Sequence, residues 1–400
     1  MNDEIYDLKK LKLLMIAIGA GLVVGSIGVI FEMLIDLADD LWKHHTFIIY
    51  LLPIFGMLII FITKKLKENN IDGPNQLIYA LNNNHNIKPI QGILIFIATT
   101  LSHLGGASVG KEGAALVLGS SVSNFFTKLI KLNAREQETL IFCGMSACFS
   151  GLFGTPLTAA IFCLEILVVG NIYLKNLLPT LISALIAAKI RTLIIGSPIT
   201  FNLDPNIDKF SIIILLALIF LAIIITIFSN VFIKTLHLTK KIFEHHFPNP
   251  YLRIIIGALI FILITAILKD KIYYSGGINI IQASFKGSSN AYSFLLKIIL
   301  TSIVLGAGFK GGEIVPTLAI GAGIGMTFSG IFNLPSSLFI ACAMIAYFVA
   351  LTKCPIASLA LAIELFNIHY LHYFMKIIVI TFIISGRHSL YSHQLNKFHQ

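Results

Sequence analysis

Uncharged apolar stretches follow one another along almost the whole chain, separated by short polar joints. Residues 13–31, 46–63 and 211–233 contain no Asp, Glu, Lys or Arg, and each is long enough to cross a bilayer as a helix. Others are shorter or interrupted. Residues 254–268 make a 15-residue run between Arg253 and Lys269. The uncharged run 314–352 is too long for one span, and Asn333-Leu334-Pro335-Ser336 breaks it in two. The pattern predicts an all-α, polytopic integral membrane protein. Its Gly- and Pro-interrupted segments suit a transporter with tilted and broken helices better than a bundle of full spans. A single transmembrane domain over residues 1–400 is expected, with 387–400 as a short tail and no appended soluble domain.

Composition supports this class and removes others. Of 400 residues, 56% are hydrophobic and only 12% are charged, against roughly 25% in an average soluble domain. The water-soluble and disordered classes are excluded on that count. The formal net charge of +10 would suggest nucleic acid in a soluble protein. Here Lys9-Lys10-Lys12, Lys64-Lys65-Lys67 and Lys240-Lys241 sit at the ends of apolar runs, as cytoplasmic flanks of membrane helices do. The N-terminus does not read as a signal peptide, because its apolar run continues into Glu32 and Asp36 without a small-residue cleavage site. The five cysteines, Cys143, Cys148, Cys163, Cys342 and Cys354, lie in apolar stretches with no CxxC pair and read as buried hydrophobes. The histidines are scattered without metal-ligand spacing and read as loop and interface residues. No metal or cofactor is expected.

The chain repeats itself. A shift of 199 places pairs Lys111 with Lys310, Gly113 with Gly312, Met145 with Met344, Phe149 with Phe348, Pro156 with Pro355 and Glu165 with Glu364. Two halves, 12–195 and 209–391, are expected around a central site.

The densest motif is Gly105-Gly106-Ala107-Ser108-Val109-Gly110-Lys111-Glu112-Gly113. It fits a phosphate loop only as far as Lys111. The next residue should be Ser or Thr for magnesium and is Glu112. The better reading is a glycine turn opening an apolar helix. The first helical N–H groups lack internal partners and carry partial positive charge, which makes an anion site at membrane depth. Glu112 is itself an anion and can fill that site; protonated, it can leave it. The equivalent Gly306-Ala307-Gly308-Phe309-Lys310-Gly311-Gly312-Glu313-Ile314-Val315-Pro316 opens a second helix, aiming the amides of Ile314 and Val315 at the same anion. Glu313 is either a second working acid or a cap favoured by the helix dipole.

These motifs resemble those of the CLC family of chloride channels and anion/proton antiporters over nearly the whole chain. Gly110-Lys111-Glu112-Gly113 matches the family's G-(K/R)-E-G element, and Gly312-Glu313-Ile314-Val315-Pro316 falls on its G-x-F-x-P element. The G-S-G-I-P element is degraded to Ile71-Asp72-Gly73-Pro74-Asn75, and the late anion-contacting tyrosine matches Tyr391. Three departures are similar to the fluoride/proton antiporter branch: Lys310-Gly311-Gly312-Glu313-Ile314-Val315-Pro316, Ala114 in place of proline, and Gly73-Pro74-Asn75-Gln76-Leu77-Ile78.

The resemblance implies halves of inverted topology, a homodimer with one pathway per subunit, cytoplasmic termini, and a place in a bacterial inner membrane. It implies Glu112 as the gating and proton-coupling acid and Glu313 as a pathway acid. Anion-binding residues would be Lys111, Gly113, Ala114, Gly73, Asn75, Ile314, Val315 and Tyr391. Asp72 stands where chloride transporters carry a coordinating serine, which is unexpected beside an anion path. Ile166 stands where they carry an internal proton-transfer glutamate, so Glu165 and Glu364 are expected to be structural. The function expected is fluoride export in exchange for protons. A chloride/proton antiporter or passive chloride channel is the alternative. A membrane enzyme or ATP-driven pump would need a nucleophile–base pair or metal set that the sequence does not offer.

Overall fold

The computed structural model describes residues 2–68, 73–83, 85, 87–130, 132–204, 212–366 and 368–396. Asp72 and residue 209, where the second half was expected to start, lie outside them. Helices dominate. α1 (Asn2–His44) is followed by α2 (Leu52–Lys65). The short α3 (Pro74–Asn82) leads to α4 (Pro89–Leu104), α5 (Glu112–Ile130), α6 (Ala134–Phe153), α7 (Pro156–Glu165) and α8 (Leu177–Ile194). The long α9 (Ile212–His246) and α10 (Pro250–Leu268) are followed by the short α11 (Ile278–Phe285), then α12 (Ser293–Ala307) and α13 (Ile314–Phe332). The chain continues through α14 (Ser336–Thr352), α15 (Pro355–Leu365) and α16 (Leu371–Ile384). Seven helical segments among the described residues are long and apolar enough to cross a membrane. The protein is a polytopic membrane protein.

Most predicted breaks hold. Asn333 adopts φ 52° and ends α13, and α14 starts at Ser336. α10 starts earlier than its uncharged run, at Pro250, because the Asn249 side chain accepts the N–H of Tyr251 at 3.0 Å. The largest difference is α1, which runs far past its expected end at residue 31. Its acids do not stop it, because they face a partner: Glu32 and Asp36 take the Lys111 ammonium between them.

Two contacts fix which helix ends share a face. Lys64, ending α2, lies 4.6 Å over the ring of Tyr251, opening α10. At the other face Trp42, ending α1, lies 5.2 Å from Tyr274, which follows α10. The basic joints Lys64-Lys65-Lys67 and Lys240-Lys241 therefore lie at one end, and the acid-rich end of α1 at the other.

Close helix approach rests on small residues, as expected where lipid supplies no hydrophobic drive. Gly119 of α5 lies against the Gly144 backbone of α6, and Gly25 of α1 lies against Ala187 of α8 and Gly151 of α6. The five cysteines are free and buried.

Glu165 and Glu364 are structural, and they act on each other's helices. Glu165, ending α7, accepts the N–H groups of Ile356 (3.1 Å) and Ala357 (2.7 Å) at the start of α15. Glu364, near the end of α15, accepts those of Leu157 (2.7 Å) and Thr158 (2.8 Å) at the start of α7. Each carboxylate satisfies two orphan amides of a Pro-started helix. Replacing Glu165 by Ala leaves two amides without their acceptor and is expected to cost roughly 1–3 kcal/mol. It is measured as a lowered thermal midpoint in detergent. Glu364→Ala should match it, and a midpoint unchanged in both variants would refute the reciprocal capping.

Candidate functional site

The two glycine turns meet. Gly110 and Gly312 exchange a pair of backbone hydrogen bonds, each 2.6 Å, across a single antiparallel bridge. The bridge sets the first turns of α5 and α13 side by side, so their orphan amides converge on one spot. Glu112 is fully buried there. Its Oε2 accepts the Lys111 N–H at 3.0 Å and the Val315 N–H at 3.3 Å, one amide from each turn. Its Oε1 is buried and bonds nothing among the described residues. Only glycine permits this approach. A Cβ on Gly312 would stand 2.7 Å from Gly113 N and 2.9 Å from both Glu112 N and Oε2.

A cavity lies on each side of this septum. The first, about 430 Å³, opens at the basic end; Gly73, Asn75, Glu313, Leu390 and Ser392 line it, with Lys240, Arg253 and Lys310 set against Glu244 and Glu313. The second, about 550 Å³, opens at the other end; Lys111, Ile314 and Val315 line it, with Glu32, Asp36, Asp39 and Asp40 set against Lys43, Lys111 and Arg191. Neighbouring residues of one turn, Glu313 and Ile314, thus face different cavities. Glu112 lines neither and stands between them.

The other expected residues take distinct places. The Lys111 amide faces the Glu112 carboxylate, but its ammonium does not: it pairs with Glu32 and lies 3.9 Å from Asp36. Expected as an anion ligand, Lys111 offers its backbone alone. Gly113 is pressed against Pro74 and the Gly312 backbone, and Ala114 is buried in the first turn of α5. Glu313 is the N-cap residue of α13, where the helix dipole favours an acid, and its side chain makes no capping hydrogen bond. Tyr391 is buried within electrostatic reach of Glu313 and Glu112, and its hydroxyl has no partner among the described residues. Its backbone is pinned: Ser389 Oγ accepts the Tyr391 N–H at 3.1 Å, and Leu390 N–H donates to Leu351 C=O at 2.9 Å. Asn75 Oδ1 accepts the Ser392 N–H at 2.9 Å, so it steadies the tyrosine loop. Gly73 starts α3 at φ +58°, ψ −134°, a conformation that glycine alone enters freely. Ile166 is buried beside the capping Glu165. Phe149 and Phe348 line the second cavity and are joined through Phe162, 5.8 and 5.6 Å from them.

Sequence reasoning missed a polar cluster on the second cavity. His103, expected in a loop or interface, is buried near the end of α4. Its Nδ1 lies 3.3 Å from Asp39 Oδ1 and 3.0 Å from Ser275 Oγ, and Ser275 Oγ donates to Asp39 Oδ2 at 2.8 Å. Fully buried Lys297 of α12 donates to the Ser275 C=O at 2.6 Å. One signal was available: Gly277-Ile278-Asn279 repeats the Gly73-Pro74-Asn75 spacing, and both glycines start short helices at positive φ.

Comparison with known proteins gives a consistent picture. Residues 55–386 match the family described as "Voltage gated chloride channel". A "Chloride/fluoride channel protein" of Pseudomonas syringae pv. tomato is 27% identical over 382 residues, covering 93% of this chain and 84% of its own. A solved "CLC-type fluoride/proton antiporter" superposes with a TM-score of 0.91 at 29% identity, covering 98% of this chain and 99% of its own. A "slow cyanobacterial Cl-/H+ antiporter" shares the fold, with a TM-score of 0.81 at 18% identity over 95% of this chain and 96% of its own.

The septum geometry makes Gly312→Ala a sharp test. The added methyl must displace either the bridge or the Glu112 carboxylate. Ion flux in liposomes is expected to fall at least tenfold, the scale of a misplacement near 1 Å at a working site, while the protein keeps its elution volume in detergent. Wild-type flux would refute the close-packed septum.

Proposed function

The chain belongs to the voltage-gated chloride channel family, and on that footing we propose that it is a secondary transporter exporting fluoride in exchange for protons. The observation that carries this is the Glu112 carboxylate, buried between two cavities and held by amides of both glycine turns. A bound carboxylate and a bound fluoride need the same donors, so they compete for one site. Protonation removes the charge that holds Glu112 there, frees the amides for the ion and moves one proton per event. Gating and coupling are then one act.

The charge of the two cavities supports the direction. The basic first cavity gathers anions, and the acidic second cavity gathers protons. The basic end is the cytoplasmic one by the positive-inside rule, so fluoride enters from the cytoplasm and protons from outside. Fluoride holds its water tightly, and a selective site must replace that water with strong donors. The amides near Val315 and the Tyr391 hydroxyl are such donors, with Ile314, Gly113 and Ala114 forming the walls. Glu313, on the first cavity, is the acid that hands the proton onward. The fluoride choice over chloride rests on Lys310-Gly311-Gly312-Glu313-Ile314-Val315-Pro316 and on similarity to the fluoride/proton antiporter. Exchange of chloride is the second reading, favoured by the dual name of the Pseudomonas relative. The reading includes two halves of common descent, a homodimer with a pathway in each copy, a bacterial inner membrane, and no enzymatic step.

Reconstituted efflux read by fluoride and chloride electrodes side by side tests the proposal. The wild type should release fluoride with proton uptake and chloride far more slowly, and faster as pH falls on the second-cavity side. Glu112→Gln should lose proton coupling. Tyr391→Phe removes one donor to a charged ion and should weaken fluoride retention roughly ten- to hundredfold. Equal chloride and fluoride fluxes would favour the second reading; unchanged coupling in Glu112→Gln would refute the gate.

A further inference from the structure

The segment that carries Tyr391 has no helix of its own. α16 ends at Ile384, and residues 385–394 reach the last strand without helix or strand. The Tyr391 hydroxyl makes no bond among the described residues, so its aim is set by the backbone that carries the ring. One side chain closes that backbone. Gln394 Nε2 donates to the Thr352 C=O, at the end of α14, at 3.0 Å. Its Oε1 accepts the Ser389 hydroxyl at 2.7 Å. Ser389 Oγ in turn accepts the Tyr391 N–H at 3.1 Å. Ser389 has one hydroxyl hydrogen. Its longer contact, 3.2 Å to the Leu351 C=O, meets a carbonyl that already accepts the Leu390 N–H at 2.9 Å, so the hydrogen lies toward Gln394. The amide has one allowed orientation: turned over, it would set its oxygen against the Thr352 carbonyl oxygen. The result is a directed relay of three hydrogen bonds from the tyrosine amide to the end of α14. A fourth closes the turn, as the Gln394 N–H donates to the Tyr391 C=O at 3.2 Å.

The other side of the segment rests on α3. Asn75, Tyr79 and Asn82 stand at i, i+4 and i+7, on one face of that helix. Asn75 Oδ1 accepts the Ser392 N–H, and the Tyr79 ring lies 5.1 Å from that of His393. Asn82 Nδ2 donates to both the His393 C=O (3.1 Å) and the Leu167 C=O (3.2 Å). The Leu395 N–H donates to that same Leu167 carbonyl at 3.0 Å, where β2 (Leu395–Asn396) pairs in parallel with β1 (Val168–Val169). Tyr391 is thus clamped between α3 and α14. Its hydroxyl is the one polar group of the residue without a bond among the described residues.

Resting on the exchange reading above, in which the Tyr391 hydroxyl meets the ion, we propose that Gln394 is the positioning residue that aims this hydroxyl and thereby sets the preference for fluoride over chloride. It touches no ion and acts through Ser389 and the tyrosine backbone. Fluoride is the smaller ion and holds its water tightly, so its replacement donors must stand close. A donor held by a closed relay cannot retreat, and chloride then meets it too near. A donor on a slack segment withdraws, and fluoride loses more than chloride does, because its shorter contact is the stronger one. Support from behind a contacting residue is what holds a site within about 0.5 Å of its working geometry. Glutamine suits the place and glutamate does not: the relay needs an acceptor and a donor on one side chain, and an ionised carboxylate only accepts.

The test uses the full chain in liposomes, with fluoride and chloride electrodes reading the ratio of the two effluxes. Gln394→Ala should lower the fluoride-to-chloride ratio about three- to tenfold, the effect of one lost hydrogen bond. In a Tyr391→Phe background the same change should alter the ratio no further, because no hydroxyl remains to be aimed. Gln394→Glu keeps the shape and is the second variant. Ionised, it cannot donate to Thr352; protonated, it can. Set against the wild type at each pH, its ratio should be low near neutrality and recover as the first-cavity side is acidified. The titratable groups around the segment are His393 on it, Tyr79 on α3, Lys353 and Cys354 after α14, Glu165 beside Cys354, and Glu313 and Glu112 toward the tyrosine. All are present in the wild type, so their titration divides out of the comparison. A wild-type ratio in Gln394→Ala, or in Gln394→Glu at every pH, would overturn the proposal. So would a ratio that falls as far again in the Tyr391→Phe background, since that is damage unconnected with the hydroxyl. If Tyr391→Phe alone leaves the ratio unchanged, the hydroxyl meets no ion, and that part of the exchange reading falls together with the role of Gln394. A Tyr391→Phe effect with unaffected Gln394 variants sinks Gln394 alone.

Discussion

The contact between Gly110 and Gly312 is the constraint on which the rest depends. Two reciprocal 2.6 Å hydrogen bonds hold the N-termini of α5 and α13 in register. Without it, each helix would present its orphan amides separately, and each set would be a weak anion site worth about 0.3–1 kcal/mol per charge at an exposed end. Brought together away from water, the two sets act on one ion, where electrostatic interactions are far less screened. The requirement for glycine follows directly, since a Cβ at 312 meets the backbone of Glu112 and Gly113 and the Glu112 carboxylate. So does the burial of Glu112: a carboxylate at membrane depth needs donors, and this is where donors converge.

Around that point the protein separates charge. Lys111 shows how. Its amide serves the site while its ammonium is drawn away to Glu32 and Asp36 on α1. An unpaired ammonium one residue from the gate would hold an anion on the second-cavity side and slow its release. Neutralised, it leaves that cavity acidic and the first one basic. The two ions of an exchange are thereby offered from opposite ends.

The fold class and the buried acid at the meeting of the glycine turns were legible because charge is scarce. Against long uncharged runs, Glu112 and Glu313 stood out, and the glycines around them announced helix starts. Helix ends were less legible where pairing overrides composition: α1 continues through Glu32 and Asp36 because Lys111 meets them, and that partner is far away in sequence. The destination of Glu165 and Glu364 was half visible. Their positions at helix ends and their shared offset pointed to structure, but reciprocal capping is a contact between halves. His103 was hidden for the same reason. A lone histidine in an apolar helix has no periodic signature, and its partners Asp39 and Ser275 are 64 and 172 residues away.

The loss of an internal acid at Ile166 bears on how protons cross. Its neighbour Glu165 has both oxygens committed to α15, so it cannot serve without uncapping a helix. A proton leaving Glu112 toward the first cavity must use groups closer to the septum. Glu313 lines the first cavity, and Tyr391 lies within electrostatic reach of both Glu313 and Glu112. On the proposed exchange, anion and proton then share the central passage rather than diverging below Glu112. Sharing makes coupling stricter in one respect: an ion seated among these donors blocks the proton's exit, and a proton in transit finds the seat empty. On that reading, the same residues that strip water from a small anion also set the order in which the two ions pass.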